Sequence, residues 1–398
     1  MSFEWLIIGG GIHGVHIAAK LLGEAGVDPS KLRIVDPGNR LLERWRTCTA
    51  TTGMTHLRSP SVHNLDLDPW SMLNYAGSDA DRKAALFAPP YDRPHLEFFN
   101  DHCDKVIDEF GLRALHVRAR ATACSVRCDE VAVELSTGEE VTSEKVVLAI
   151  GAGEQPEWPR WALRNDARVQ HIFAQGFGGW PTTAERVAVV GGGISAAQVA
   201  LRLLDDGHEV HLVSRHSLRV HQFDSEPGWL GPKFMAGFQR EENVDRRRKM
   251  IAQARHKGSV PPDVFAALQD AINAGSLCWY EDQVVGLDGD DDSLMLRLSG
   301  GGVVELERVL LATGFAGRRP GGTLVDQMVE TASLPCSRCG YPVVDAALRW
   351  HPRVYVSGPL AELELGPSSR NISGARRAAD RLVASARATS VTEEIGAF

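Results

Sequence analysis

Nowhere in these 398 residues does an apolar run approach the roughly 20 needed to span a bilayer, so no membrane-crossing helix is expected. A basic leader and a small-residue cleavage site are also missing. The first apolar stretch stops at Ile8 and turns into glycines, which reads as a strand of the mature fold. Positive charge is not in excess: the formal net charge is −8, which argues against a general nucleic-acid binder. The one basic run, Arg246-Arg247-Arg248-Lys249, follows Glu241, Glu242 and Asp245 and reads as a solvated helix face. Cysteine is sparse, scattered and odd in number, at seven, which fits reduced thiols in a cytoplasmic protein rather than a disulfide framework. Cys336-x-x-Cys339 has the spacing of a redox dithiol or half a zinc site. Cys124 and Cys128 complete a four-thiol set only if their meander reaches the tail, so inert thiols are the default and no metal is expected. The acidic loop at 288–292 lacks the glycine and distal glutamate of a calcium loop and reads as a hairpin turn.

What the chain does carry is one glycine pattern, twice. In "WLIIGGGIHGVHIAA", residues 5–19, a short apolar strand runs into Gly9, Gly11 and Gly14 and then into helical spacing. Gly9 permits the tight turn, Gly11 lets backbone amides approach a pyrophosphate, and Gly14 allows close helix–strand contact. The helix N-terminus then faces the phosphates with its partial positive charge. A second strand, residues 32–35, ends in Asp36, 22 residues past Gly14, where a carboxylate suits a ribose hydroxyl. His13 and His16 read as packing or surface residues of this helix.

The second copy, "VAVVGGGISAAQVAL" at 187–201, offers Gly191, Gly193 and Ser195. Its following strand ends not in an acid but in Ser214 and Arg215, a hydroxyl and a guanidinium that can bind a 2′-phosphate. The charge difference predicts NADPH at the second site. A nicotinamide hydride needs an acceptor, so the acid-ended first site is expected to hold FAD.

These units imply an α/β fold with two Rossmann-like dinucleotide-binding domains, the NADPH domain inserted into the FAD domain. The expected boundaries are 1–160 for the first part of the FAD domain, 161–308 for the NADP(H) domain with an inserted segment, and 309–398 for the return. The strand-rich meander at 119–150 and the strand at 309–312, ending near Gly314, read as the two seams.

The paired motifs, "LLATGF" at 310–315 and the tail at 354–382 resemble the two-dinucleotide-binding flavoproteins, most of all the flavin-dependent N-hydroxylating monooxygenases of ornithine or lysine. "RPHLEFFNDHC", 93–103, is similar to the arginine-to-Glu-Phe stretch before a helix in that family. The resemblance implies that NADPH reduces FAD, dioxygen adds at the flavin C4a to give a hydroperoxide, and a nucleophilic nitrogen or sulfur of a small molecule takes the distal oxygen. By the same resemblance, the aperiodic stretch 47–69 lies against the flavin. Met54 and Leu57 would pack the ring, Arg58 would stabilise anionic flavin, and Arg58 and His63 are the candidates for a catalytic role. In the tail, Gly358 and Gly366 frame the loop before the last helix, whose first amides near Asn371 and Ile372 would meet the flavin edge. Two rivals stand beside this reading: a reductase of the disulfide-reductase type using Cys336 and Cys339, and a flavoprotein redox sensor without turnover. Neither nucleic acid nor membrane is an expected partner, and a homo-oligomer is left open.

Overall fold

The structure, a computed structural model, describes residues 2–396, with side chains as far as residue 388. Its frame is a pair of parallel sheets. In the first, the strand Ser2–Ile8 lies between Leu32–Asp36 and Glu140–Leu148, with Ile8 opposite both Val35 and Leu148. His116–Arg118 extends one side; Val354–Val356 and then Arg349–His351 extend the other. Trp5, Leu6 and Ile7 are fully buried, as residues of a strand covered on both faces must be. Ala121–Val126 and Val131–Leu135 join Glu140–Leu148 as an antiparallel meander. The helices Ile12–Gly23 and Ile372–Gly396 pack against each other.

The second sheet runs Leu277–Glu281, Glu209–Ser214, Arg186–Val190, Arg308–Leu311, Val169–His171, all parallel. The helix Ile194–Asp205 follows its central strand. A separate three-stranded meander, Val284–Gly289, Leu294–Leu298 and Val303–Leu306, packs its apolar side under this sheet. The acidic stretch at 290–292 turns between the first two of those strands, with Asp290 Oδ1 accepting from the amides of Asp292 and Ser293.

Three sequence readings need correction. Arg308–Leu311 belongs to the second sheet, paired with Arg186–Val190, so the chain returns to the first unit only after Leu311 and not at 309. The stretch read as a loop from 47 begins inside a helix, Glu43–Thr52, in which Thr47 and Thr49 satisfy their hydroxyls on the carbonyls of Glu43 and Trp45. The basic run is a solvated face only in part, at Arg246 and Lys249, which are exposed. It lies on the helix Val244–Ala254, where Arg247 binds Glu364 and the Leu363 carbonyl, and Arg248 pairs with buried Glu362.

The two crossings between units run side by side. Glu157 N donates to Gly314 O, Ala316 N to Gln155 O, and the Thr313 hydroxyl to Glu157 O. The joint is therefore double, and each crossing satisfies the other's backbone.

Leu310 is fully buried in the core of the second unit. Leu310→Ala should cost about 2–5 kcal/mol, read as a lower denaturant midpoint in equilibrium unfolding. A loss well under 1 kcal/mol would contradict the strand's placement between two layers.

Candidate functional site

The first glycine turn is held by backbone contact. A Cβ on Gly14 would sit 1.8 Å from Gly9 O, and one on Gly9 would sit 2.6 Å from Ala149 O. Gly9 also adopts φ of +114°, a region that side chains disfavour. Around Gly11 the position of a Cβ has nothing within 4 Å. Gly11 caps the helix without a side-chain hydrogen bond, so the first-turn amides point outward unpaired by any cap. Asp36 closes the turn: Oδ2 accepts from Gly10 N at 2.7 Å and Oδ1 from Gly38 N at 2.8 Å. A carboxylate has lone pairs to spare, so each oxygen can still accept from a hydroxyl.

His13 links this turn to the return segment, which sequence reasoning did not foresee. Its Nδ1 lies 2.8 Å from Ser357 Oγ, and its ring is 3.6–3.8 Å from where a Cβ of Gly358 would stand. Burial is the main cause that lowers its pKa to about 4, against weaker opposing contributions from the backbone of Arg370 and Asn371. Its Nε2 is buried without a partner. A capless helix start and an orphaned ring nitrogen fit the polar groups of a dinucleotide.

Other expected residues of the first site fall as follows. Gly358 ends its strand with φ of +63°. Asn371 donates through Nδ2 to Asp224 Oδ1 at 3.0 Å, tying the last helix to the second unit, and Ile372 begins that helix within the core. Gly366 is not part of the cradle: it turns the chain at φ of +79° against Met235 and Phe238 in a small separate core. Leu57 is 2% exposed and spent in the main core, with Met54 packed on the same core, so Leu57 offers no free face to a ring. Arg58 reaches away to the second unit. It donates to the carbonyls of Gln222 and His221 and to Ser259 Oγ at 2.6–2.8 Å. His63 sits apart from the cavity described next, beside Arg376; burial and then that charge lower its pKa to about 4.

The second turn opens onto a cavity of about 1020 Å³ between the units. Gly191, Gly193, Ser195, Arg215, Gly314 and Arg58 all line it. A Cβ on Gly191 would meet Ala312 O at 2.5 Å. Gly193 caps the helix Ile194–Asp205 without a side-chain bond, again leaving amides for an anion. Arg215 is exposed to the cavity, but Ser214 is not a phosphate ligand. Its hydroxyl is 1% exposed and already used, donating to His216 O and accepting from Trp279 Nε1.

Charge sets this cavity apart from the rest of the chain. Eight Arg or Lys side chains line it, against four Asp or Glu. Burial first, and then the charges of Arg255, Arg248, Arg370 and Arg215, pull the Lys257 ammonium below its usual pKa. Burial likewise lowers Arg255 and Arg58, while both share the single carboxylate of Asp224. Glu362, fully buried, answers Arg248 and Arg370. Of these residues only Arg58, Arg215 and Arg248 stood out in the sequence, because the others are brought together by the joint and not by spacing.

The fold is that of two dinucleotide-binding domains. Residues 6–153 match the family model described as FAD-NAD(P)-binding. None of the curated proteins compared matches the chain. Among solved structures it is similar to the ornithine N-hydroxylase of Kutzneria sp. 744, at 18% identity over 98% of this chain and 100% of that one, with a TM-score of 0.79. It is similar to the ornithine hydroxylase of Pseudomonas aeruginosa at 18% identity, covering 97% and 99%, with a TM-score of 0.75. The bacillithiol disulfide reductase of Bacillus cereus shares the fold less closely, at 16% identity over 98% and 100%, with a TM-score of 0.64.

Buried histidines give the site region a pH signature. Burial lowers His13 and His63 to about 4 and His16 to about 3, each from 6.5. The unfolded chain takes up protons below pH 6.5 that the native state refuses, so stability is full above 6.5 and is lost as pH falls towards about 4. The urea midpoint should drop across that window. It should drop less steeply in His16→Gln, which keeps a donor for Leu65 O. A midpoint that ignores pH there, or an unchanged slope in the variant, contradicts the neutral assignment.

Proposed function

We propose that the protein is an FAD- and NADPH-dependent monooxygenase that oxygenates a nucleophilic nitrogen, or sulfur, of a small molecule. The observation that carries this reading is the pair of glycine cradles with opposite strand-end charge. Asp36 stands at the first, and Arg215 at the second, on the wall of a basic cavity that lies between the units. A carboxylate there would repel a 2′-phosphate, and a guanidinium would bind it. The solved neighbours add support: a cadaverine monooxygenase from Erwinia amylovora and an L-lysine 6-monooxygenase from Pseudomonas syringae share the fold along with the two ornithine enzymes.

FAD, reduced by NADPH, supplies the oxygen-activating chemistry when bound. The chain's own residues would have three tasks. The first-turn amides at Gly11 and the His13 Nε2 would hold the FAD pyrophosphate, and Asp36 its ribose. The amides after Gly193 and the Arg215 guanidinium would hold NADPH. Arg58, Arg255 and Arg370, half buried between the units, would hold negative charge in place and exclude water, since leaked protons release peroxide unproductively.

The disulfide-reductase reading has less behind it. Cys336 and Cys339 are exposed, free thiols, neither lines the cavity, and burial raises the pKa of Cys336 away from the thiolate form. Cys48 is also free, and its pKa is likewise raised.

Two measurements test the proposal. Purified protein loaded with FAD should bleach when NADPH is added without air. In air, with a panel of amines, amino acids and thiols, it should couple NADPH oxidation to a product heavier by one oxygen in mass spectra. Flavin that stays oxidised under anaerobic NADPH, or a reaction that makes only peroxide with every member of the panel, ends the monooxygenase reading. Separately, Arg215→Ala should cut the preference for NADPH over NADH in kcat/KM by tenfold or more, and a preference unchanged from the unsubstituted protein would remove Arg215 from the 2′-phosphate site.

A further inference from the structure

A second chemistry sits at the edge of the same cavity, where His256 lines it. The short strands Arg219–Val220 and Ser259–Val260 pair in parallel, and Ser225 bridges to Arg255, so two segments about 30 residues apart lie side by side. Backbone bonds fix both: His221 N donates to Val260 O, and His256 N to Asp224 O at 2.8 Å. The imidazoles of His221 and His256 consequently stack, with centroids 3.7 Å apart and planes inclined by 25°. Glu226 closes the group. One donor atom from each of the three lies within 4.8 Å of the others, and among the described residues this is the sole such cluster of His, Cys, Asp or Glu.

Hydrogen bonding decides which atoms are free. His256 Nδ1 is 3.2 Å from the Phe223 carbonyl, which can only accept, so Nδ1 carries a proton, and in the neutral ring that leaves the lone pair on Nε2. That lone pair faces Glu226 Oε1 at 3.7 Å. Two acceptors confront each other at a separation too long for a hydrogen bond and suited to a cation between them. A ring N–H given to a backbone carbonyl, with the other nitrogen turned to a carboxylate, is how metal-binding imidazoles are oriented.

We propose that His221, Glu226 and His256 bind a divalent transition metal of the zinc class beside the central cavity, which His256 lines. Two nitrogens and one carboxylate oxygen suit such an ion and leave a fourth position for an exogenous ligand. Arg58, Arg219 and Arg255 stand around the group, so that ligand would be anionic: hydroxide, or an anion held in the cavity. The metal would also clamp the 219–226 segment to 255–256. Arg58 takes its acceptors from that segment, at His221 O and Gln222 O, so the clamp would stiffen the joint between units. This inference is independent of flavin or NADPH binding.

The test uses the full chain, freed of metal by a chelator and titrated with Zn²⁺ by calorimetry and with Co²⁺ by absorption. One equivalent should bind per chain, Co²⁺ should show visible d–d bands without a thiolate charge-transfer band, and Zn²⁺ should raise the melting temperature. His256→Ala and Glu226→Gln should each weaken binding at least tenfold and abolish the thermal shift. Glu226 is mostly exposed, so its variant folds even if His256→Ala does not. Absence of stoichiometric binding, a thiolate band, or full affinity in Glu226→Gln overturns the proposal.

Discussion

Between Gly14 and Gly9 O there is no room for a methyl group, and between Gly191 and Ala312 O there is hardly more. These two backbone contacts decide where each helix can begin. With the helix start pressed against the strand end, its first amides lie at the carboxyl edge of a parallel sheet, and no side chain is interposed. Everything else at the two cradles is an addition to that geometry. Asp36 locks the first turn through Gly10 N and Gly38 N, and Ser214 locks the end of the second strand through His216 and Trp279. The strand-end acid itself fixes the turn in the first unit, whereas in the second Ser214 does so and Arg215 is left to the cavity.

An acidic chain has gathered cations at one place. With a net charge of −8 overall, a cavity wall of eight basic and four acidic side chains is a local reversal. Burial is the main cause that depresses Lys257, Arg255 and Arg58, and neighbouring arginines add to it at Lys257 and Arg255. The acids present do not cancel the reversal. Asp224 serves Arg255 and Asn371 while standing near Arg58, and Glu362 serves Arg248 and Arg370. Each carboxylate holds several donors in position, so the guanidinium groups stay ordered while much of their charge remains uncompensated. That is what preorganisation for an anionic ligand requires.

Much of the frame was legible in the sequence, because a glycine turn is a local event. Strand, glycines, helix and strand-end residue occur within about 30 residues, and each has a steric or electrostatic reason. Misreadings arose where distant segments meet. The helix Glu43–Thr52 was hidden by threonines that satisfy their hydroxyls internally. Arg247 and Arg248 read as solvated because nothing nearby in sequence reveals Glu364 and Glu362. Gly366 carried the composition of a ligand loop yet turns against Met235, and Ser214 sits one residue from Arg215 with its hydroxyl facing inward. His13 lay inside the motif itself, but its role depends on Ser357, 344 residues away.

The units are joined by a particular kind of bond. Arg44 donates to Gly153 and Phe173 carbonyls, Arg202 to Ala50 O, and Arg58 to His221 and Gln222 carbonyls. Guanidinium-to-carbonyl ties are directional, and a carbonyl leaves the positive charge in place, though Arg202 also pairs with Asp206 at 3.5 Å. An apolar interface of the same extent would hold the units together but would leave their relative angle to shape alone, and it would contribute no field to the cavity. Of these arginines Arg58 alone lines the cavity, so there one set of bonds both holds the units and adds charge to the cavity. Orientation and electrostatics are therefore not separately adjustable at Arg58, and a change at that point of the joint is a change in the site.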